Sequence, residues 1–242
     1  MKKLAALLVI ALFFCSCKTQ NLLVSKAETN DNQYFEYDSN YQYKIRKDDK
    51  ISISVWGEDN LSVGSVYGIY NSNEVYGKWL MVDINGTIEM PKIGTINILD
   101  KTIPEVKEML KTALKKWLIN PIVDVKVLNK EIIVLGEVRN PNTVAIDKDH
   151  VSLLEMISKT GGFEFYANLK SVKILRQEGE NVKVTNLDLT VGNNILNTNI
   201  QLHPGDIVIV PSKKNKDFDK RIATIIPLTT TISAAAIIMG VL

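Results

Sequence analysis

The side chains of this chain that could do chemistry are few and far apart. His150 and His203 are the two histidines, 53 positions from each other, with no cysteine near either. That is neither a metal-ligand spacing nor a nucleophile–base pair. Asp83 and Glu89 flank Asn85-Gly86 and would project from a hairpin, where an acid pair reads as solvated surface rather than as the two carboxylates of a glycosidase. Asp49 and Asp206 each stand just before an alternating apolar run, where a short acid bonds the backbone amides of its own turn. Glu137 takes the same structural reading. No catalytic, cofactor-binding or metal-binding set emerges, so a protein that is not an enzyme is expected. The remaining reactive groups, Cys15 and Cys17, both lie at the end of an apolar run near the N-terminus. The folded part then has no disulfide and must be held by its core.

The elements around these residues begin with two apolar ends. Lys2 and Lys3 precede an apolar run from Leu4 to Phe14 and then Cys15-Ser16-Cys17. The run falls short of the roughly 20 residues of a spanning helix and reads as a secretory signal. Ser16-Cys17 resembles the lipobox of bacterial lipoproteins, which implies that Cys17 is acylated and becomes the mature N-terminus; Cys15 follows the bulky Phe14. The alternative is an ordinary signal peptide with incidental cysteines. Two of the 29 basic residues precede the junction, which leaves 27 against 27 acidic ones. A near-neutral body lacks the footprint of a nucleic-acid binder or of a generic polybasic membrane surface.

At the other end, the 21 residues from Ile222 to Leu242 carry no charge. As a helix they would measure roughly 30 Å, the thickness of a bilayer core, with Pro227 at a kink or at the start of the straight part. Thr229, Ser233, Ala236 and Gly240 form a stripe of small residues that would let helices pack closely in lipid, opposite a bulkier stripe through Ile225, Leu228, Ile232, Ala235 and Met239. Lys213, Lys214, Lys216, Lys220 and Arg221 precede this segment. In an inner membrane they would favour the cytoplasmic side, against an exported body.

Between the ends, 17–40 reads as a polar tether and the body starts at Tyr41. Ile51, Ile53 and Val55 alternate as a half-buried strand. Met81–Ile84 and Thr87–Met90 flank Asn85-Gly86, which predicts a hairpin with a type I′ turn and positive φ at both residues. Thr102, Pro104 and Glu105 form a capping box opening a helix with Val106, Leu110, Ala113 and Trp117 inward. Val123, Val125 and Val127 follow as a strand. A second unit repeats the economy: strands at Ile132–Leu135 and Val144–Ile146, a helix over Val151–Lys159 stopped by Gly161-Gly162, and strands at Val172–Leu175, Val182–Val184 and Ile207–Val210. The fold class is α+β.

These residues carry a resemblance. Tyr43 to Ile53, with Asp49-Lys50-Ile51 inside it, resembles the Y-x-I-x-x-G-D-x-I-x-I opening of the Wza-type polysaccharide export family. Val82 to Gly94 resembles its V-x-x-D/N-G-x-I-x-L-P-x-I-G signature. Val134 to Pro141, Thr160-Gly161-Gly162 and Leu202 to Pro211 resemble landmarks of the adjoining soluble-ligand-binding β-grasp module. Asp48 and Asn142 stand where the family has glycine, and both residue types tolerate left-handed backbone. Val63 to Tyr76 has no family landmark. The resemblance implies a signal peptide over 1–16, a lipidated tether over 17–40, an export domain over 41–129, a β-grasp domain over 130–212, and a basic linker and C-terminal membrane helix over 213–242. It implies an outer-membrane lipoprotein with its body in the periplasm, assembled as a homo-oligomeric ring that passes capsular or exopolysaccharide. Its partners would be outer-membrane lipid and an inner-membrane co-polymerase, often a tyrosine autokinase. The alternative is a lipid-anchored periplasmic module that binds a saccharide or partner protein without a channel.

Overall fold

The computed structural model describes residues 35, 38–56, 79–179, 181–190 and 200–223. Strand β1 (Lys50–Val55) alternates as expected, with Ile51, Ile53 and Val55 fully buried. It lies at the centre of a three-stranded antiparallel sheet between β2 (Leu80–Met81) and β5 (Val123–Val127). β3 (Thr87–Met90) and β4 (Gly94–Asn97) form a separate hairpin. Helix α1 (Ile103–Leu114) starts at Thr102, whose hydroxyl accepts from the Glu105 amide while Glu105 Oε2 accepts from the Thr102 amide at 2.7 Å. Both donors would otherwise be orphans of the first turn.

The second unit runs through β6 (Glu131–Gly136), β7 (Asn142–Ala145), β8 (Val151–Ser152), α2 (Leu153–Lys159), β9 (Val172–Glu178), β10 (Asn181–Leu187), β11 (Gln201–Leu202) and β12 (Ile207–Val210). Its five-stranded sheet has the order β10-β9-β12-β6-β7. β6 and β12, the first and last strands of that sheet, lie side by side and parallel, and every other neighbour is antiparallel. The parallel pair sits inside the sheet with α2 against β6, which gives the mixed α+β unit expected. A short β8–β11 ladder completes the unit. Two separate apolar cores result, one from Tyr43 to Val127 and one from Ile132 to Val210 that also takes in Phe35.

Several expectations are corrected. The segments flanking Asn85-Gly86 do not form one ladder: β2 pairs with β1, and β3 turns at Pro91 to pair with β4. The turn is real, since Gly86 N donates to Asp83 O at 2.9 Å, but only Gly86 is left-handed (φ 79°) and Asn85 is not. Asp83 holds it, accepting from the amides of Asn85 and Thr87 at 2.9 and 2.7 Å. Helix α1 ends at Leu114, so its buried face is Val106, Leu110 and Leu114; Ala113 is half-buried and Trp117 is exposed beyond the helix. Asp48 does adopt the left-handed conformation (φ 65°), whereas Asn142 sits in β7 without it. The tether is not wholly a tether: Phe35 is 1% exposed inside the second core.

No helix among the described residues is long and apolar enough to cross a membrane. The expected membrane helix with Thr229, Ser233, Ala236 and Gly240, the signal with Cys17, and Val63–Tyr76 lie outside the described residues. Residues 216–223 are helical.

Candidate functional site

Each unit opens the central strand of its sheet with the same turn. In the first, Arg46 N donates to Asp49 Oδ2 at 2.8 Å, and Asp49 N to Arg46 O at 3.4 Å. In the second, His203 N donates to Asp206 Oδ2 at 2.8 Å, and Asp206 N to His203 O at 3.0 Å. The residue before each aspartate is left-handed, Asp48 with φ 65° and Gly205 with φ 90°. The sequence reading of both acids as turn-bonding groups therefore holds. It missed that the two turns meet. Arg46 Nη1 donates to Pro204 O at 3.1 Å, and the Tyr41 ring stacks on His203 at 3.7 Å and 11°.

Behind this contact the acids are finished differently. Tyr43 donates its hydroxyl to both Asp49 oxygens at 3.0 and 2.9 Å. Burial, then the neighbouring carboxylate, push the Tyr43 phenol up, so it stays a donor. Burial also raises the Asp49 carboxyl. Asp206, 1% exposed, receives a guanidinium fork instead: Arg176 Nε to Oδ1 at 2.9 Å and Nη2 to Oδ2 at 2.8 Å. Burial raises Asp206, while Arg176 and the His203 amide pull the other way. Arg176 also donates to Gln201 O at 3.1 Å and lies 4.7 Å from the Phe35 ring centre. Gln201 accepts from the Asp38 amide at 3.0 Å and bonds His150 Nδ1 at 2.8 Å. Burial beside Arg176 and Arg46 lowers His203 to about 3, so its imidazole is neutral across physiological pH. Burial raises Tyr41 to about 12.

On the outer side of the joint a cleft of about 750 Å³ is lined by Asn40, Gln42, Lys44, Asp100, Thr102 and Glu178 around the two turns. Lys130 secures the covalent crossing between the units: it is 4% exposed, bonds Asp149 at 2.8 Å and lies 5.6 Å from the Tyr43 ring centre. No group of three or more His, Cys, Asp or Glu could hold a metal among the described residues. Asp83 is occupied by its own turn, Glu89 is exposed, and Glu137 accepts from Ser212 Oγ at 2.6 Å and from Lys216. What the arrangement does is bring the turns of the two units into contact, through the Arg46–Pro204 bond and the Tyr41–His203 stack. Arg176 was visible in principle: it falls on the inward phase of β9 after Val172 and Ile174, and a cation there needs an acid.

The comparisons follow the same division. The family described as polysaccharide biosynthesis/export protein matches residues 38–128, and the SLBB domain matches 130–210. The chain is 30% identical over 190 residues to the EPS I polysaccharide export outer membrane protein EpsA of Ralstonia solanacearum, across 73% of this chain and 50% of that protein. It is 31% identical over 134 residues to the capsule polysaccharide export outer membrane protein CtrA of Neisseria meningitidis serogroup A, across 53% of this chain and 33% of that protein. The chain thus spans about half the length of EpsA. With both family units matched in order and joined by paired turns, the chain belongs to the Wza-type polysaccharide export family.

Proposed function

We propose that this protein is an outer-membrane subunit of an exporter of capsular or exopolysaccharide. The observation that carries the reading is that a chain in which both units are matched in order is 30% identical, across 73% of its length, to a relative named for that export. Export of a long polymer needs a passage, and a passage enclosed by small units needs several copies held in one geometry. Contact between the two turns favours such a repeat. In this reading 1–16 is a signal, Cys17 carries lipid, 41–129 is the export domain and 130–212 the β-grasp domain. Residues 213–242 form a basic linker and a membrane helix, packed through Thr229, Ser233, Ala236 and Gly240. An inner-membrane co-polymerase with tyrosine autokinase activity meets the periplasmic face, and the protein itself performs no catalysis.

Particle images of the detergent-extracted protein test the reading. Closed rings of many copies are the expected result. A monomer or dimer that binds sugar in solution would favour the channel-free binding module. Cys17→Ser separately tests the lipid: fatty-acid labelling should vanish, and it should persist in Cys15→Ser. Removal of residues 222–242 should leave the protein on the membrane while abolishing export.

A further inference from the structure

The end of the second unit from which the chain runs into its uncharged segment carries a surface that the joint does not use. Phe165 is 80% exposed, Phe218 63% and Ile222 40%. Phe165 comes from the loop between α2 and β9, whereas Phe218 and Ile222 lie on helical residues 216–223, where a spacing of four puts both on one face.

The two stretches are braced against each other. Lys213 donates its amide to Tyr166 O at 2.8 Å and its ammonium to Phe165 O at 3.0 Å, with that ammonium 5.4 Å from the Phe165 ring centre. Asn168 N donates to Pro211 O at 2.8 Å, and Ser212 and Lys216 both donate to Glu137. The apolar rings therefore stand on a frame that holds them out.

Between 213 and 221, Lys213, Lys214, Lys216, Lys220 and Arg221 outnumber Asp217 and Asp219, in a body otherwise near neutral. The uncharged run begins inside this patch, at Ile222. Exposed aromatic rings and cations beside a long apolar segment are the composition that settles in a lipid headgroup layer. We propose that Phe165, Phe218 and Ile222, with Lys213, Lys214 and Lys220 around them, dock on the headgroups of an anionic phospholipid layer, so that the β-grasp unit stands on the membrane by this end. The proposal rests on the reading of 222–242 as a membrane helix and adds to it a second, peripheral contact that sets the tilt of the body.

Amide exchange of the full-length protein tests it, in phosphatidylcholine vesicles containing about one-third phosphatidylglycerol and in phosphatidylcholine alone. Amides of 163–166 and 213–221 should exchange about tenfold more slowly on the anionic vesicles. Phe165→Ser with Phe218→Ser, or Lys214→Gln with Lys220→Gln, should remove that slowing without moving the thermal transition. Slowing that is equal on both vesicles and indifferent to both pairs of substitutions overturns the proposal and assigns the patch to a protein neighbour. Alkaline carbonate extraction reads the tail separately. An extractable protein whose patch is still slowed on anionic vesicles keeps this proposal and removes the tail reading. An inserted tail with a patch that exchanges alike on both vesicles does the reverse.

Discussion

The turns at Asp49 and Asp206 share backbone, position and sheet location, yet one acid is completed by a neutral phenol six residues away and the other by a cation thirty residues away. The Asp49 turn can be satisfied by its own segment. The Asp206 turn is satisfied only when β9 and β12 are paired, because Arg176 arrives on β9. The two units thus place their polar groups at different levels of organisation: local in the first, sheet-wide in the second. A buried ion pair is conditional on its geometry in a way that a phenol–carboxylate bond is not.

The largest expected effect tests that contrast directly. Arg176→Ala strands a carboxylate that is 1% exposed and should cost about 3–5 kcal/mol in chemical denaturation, with the double change Arg176→Met, Asp206→Leu recovering most of it. Gly86→Val, in the first unit and away from its acid, combines a left-handed φ of 79° with a Cβ that would overlap the Leu99 side chain. Each fault should cost about 1–3 kcal/mol, read as a lowered thermal transition. Tyr43→Phe removes only the phenol from Asp49 and should cost about 1.5–3 kcal/mol by the same denaturation assay. A cost equal to that of Arg176→Ala would erase the distinction between the units.

Two smaller effects address the joint. Arg46→Gln loses the bond to Pro204 O and should cost about 1 kcal/mol. Its signature should be a splitting of one unfolding transition into two, because the units lose their shared contact. His203 sits near 3 in the folded protein against its ordinary 6.5, so the unfolded chain binds its proton first as pH falls. Stability from this residue is complete above pH 6.5 and drains as pH drops toward 3. His203→Phe keeps a ring against Tyr41 and should flatten that part of the urea midpoint's pH dependence. An unchanged slope would mean that His203 is not the group responsible.

Alternation and capping are local, and the elements that rest on them could be read from the residues alone. β1, β5, β9 and β12 alternate along their own length, and Thr102 with Glu105 starts α1 within four residues. The elements that escaped depend on partners remote in sequence. β11 has two residues and exists because β8 is beside it; β4 exists because β3 bends back at Pro91. The inward face of α1 turned on whether the helix ended before Trp117, and the turn after Leu114 exposes that ring. Of the joint, the two aspartate turns were readable and their meeting was not. Arg46 and Pro204 are 158 positions apart, and no pattern within either segment announces the other.

The burial of Phe35 sets an order of events. Phe35 and Asp38 precede the first unit in the chain, but their partners, Arg176 and Gln201, come after it, with 163 positions between Asp38 and Gln201. As the chain is delivered from its N-terminus, the first unit has all its residues and can fold while Phe35 still lacks a pocket. Contacts of such span carry the largest loop-closure cost and form late. Phe35 therefore acts as a clasp that shuts only on a finished second unit, and its accessibility to a probe during refolding is a timer for completion of the whole body.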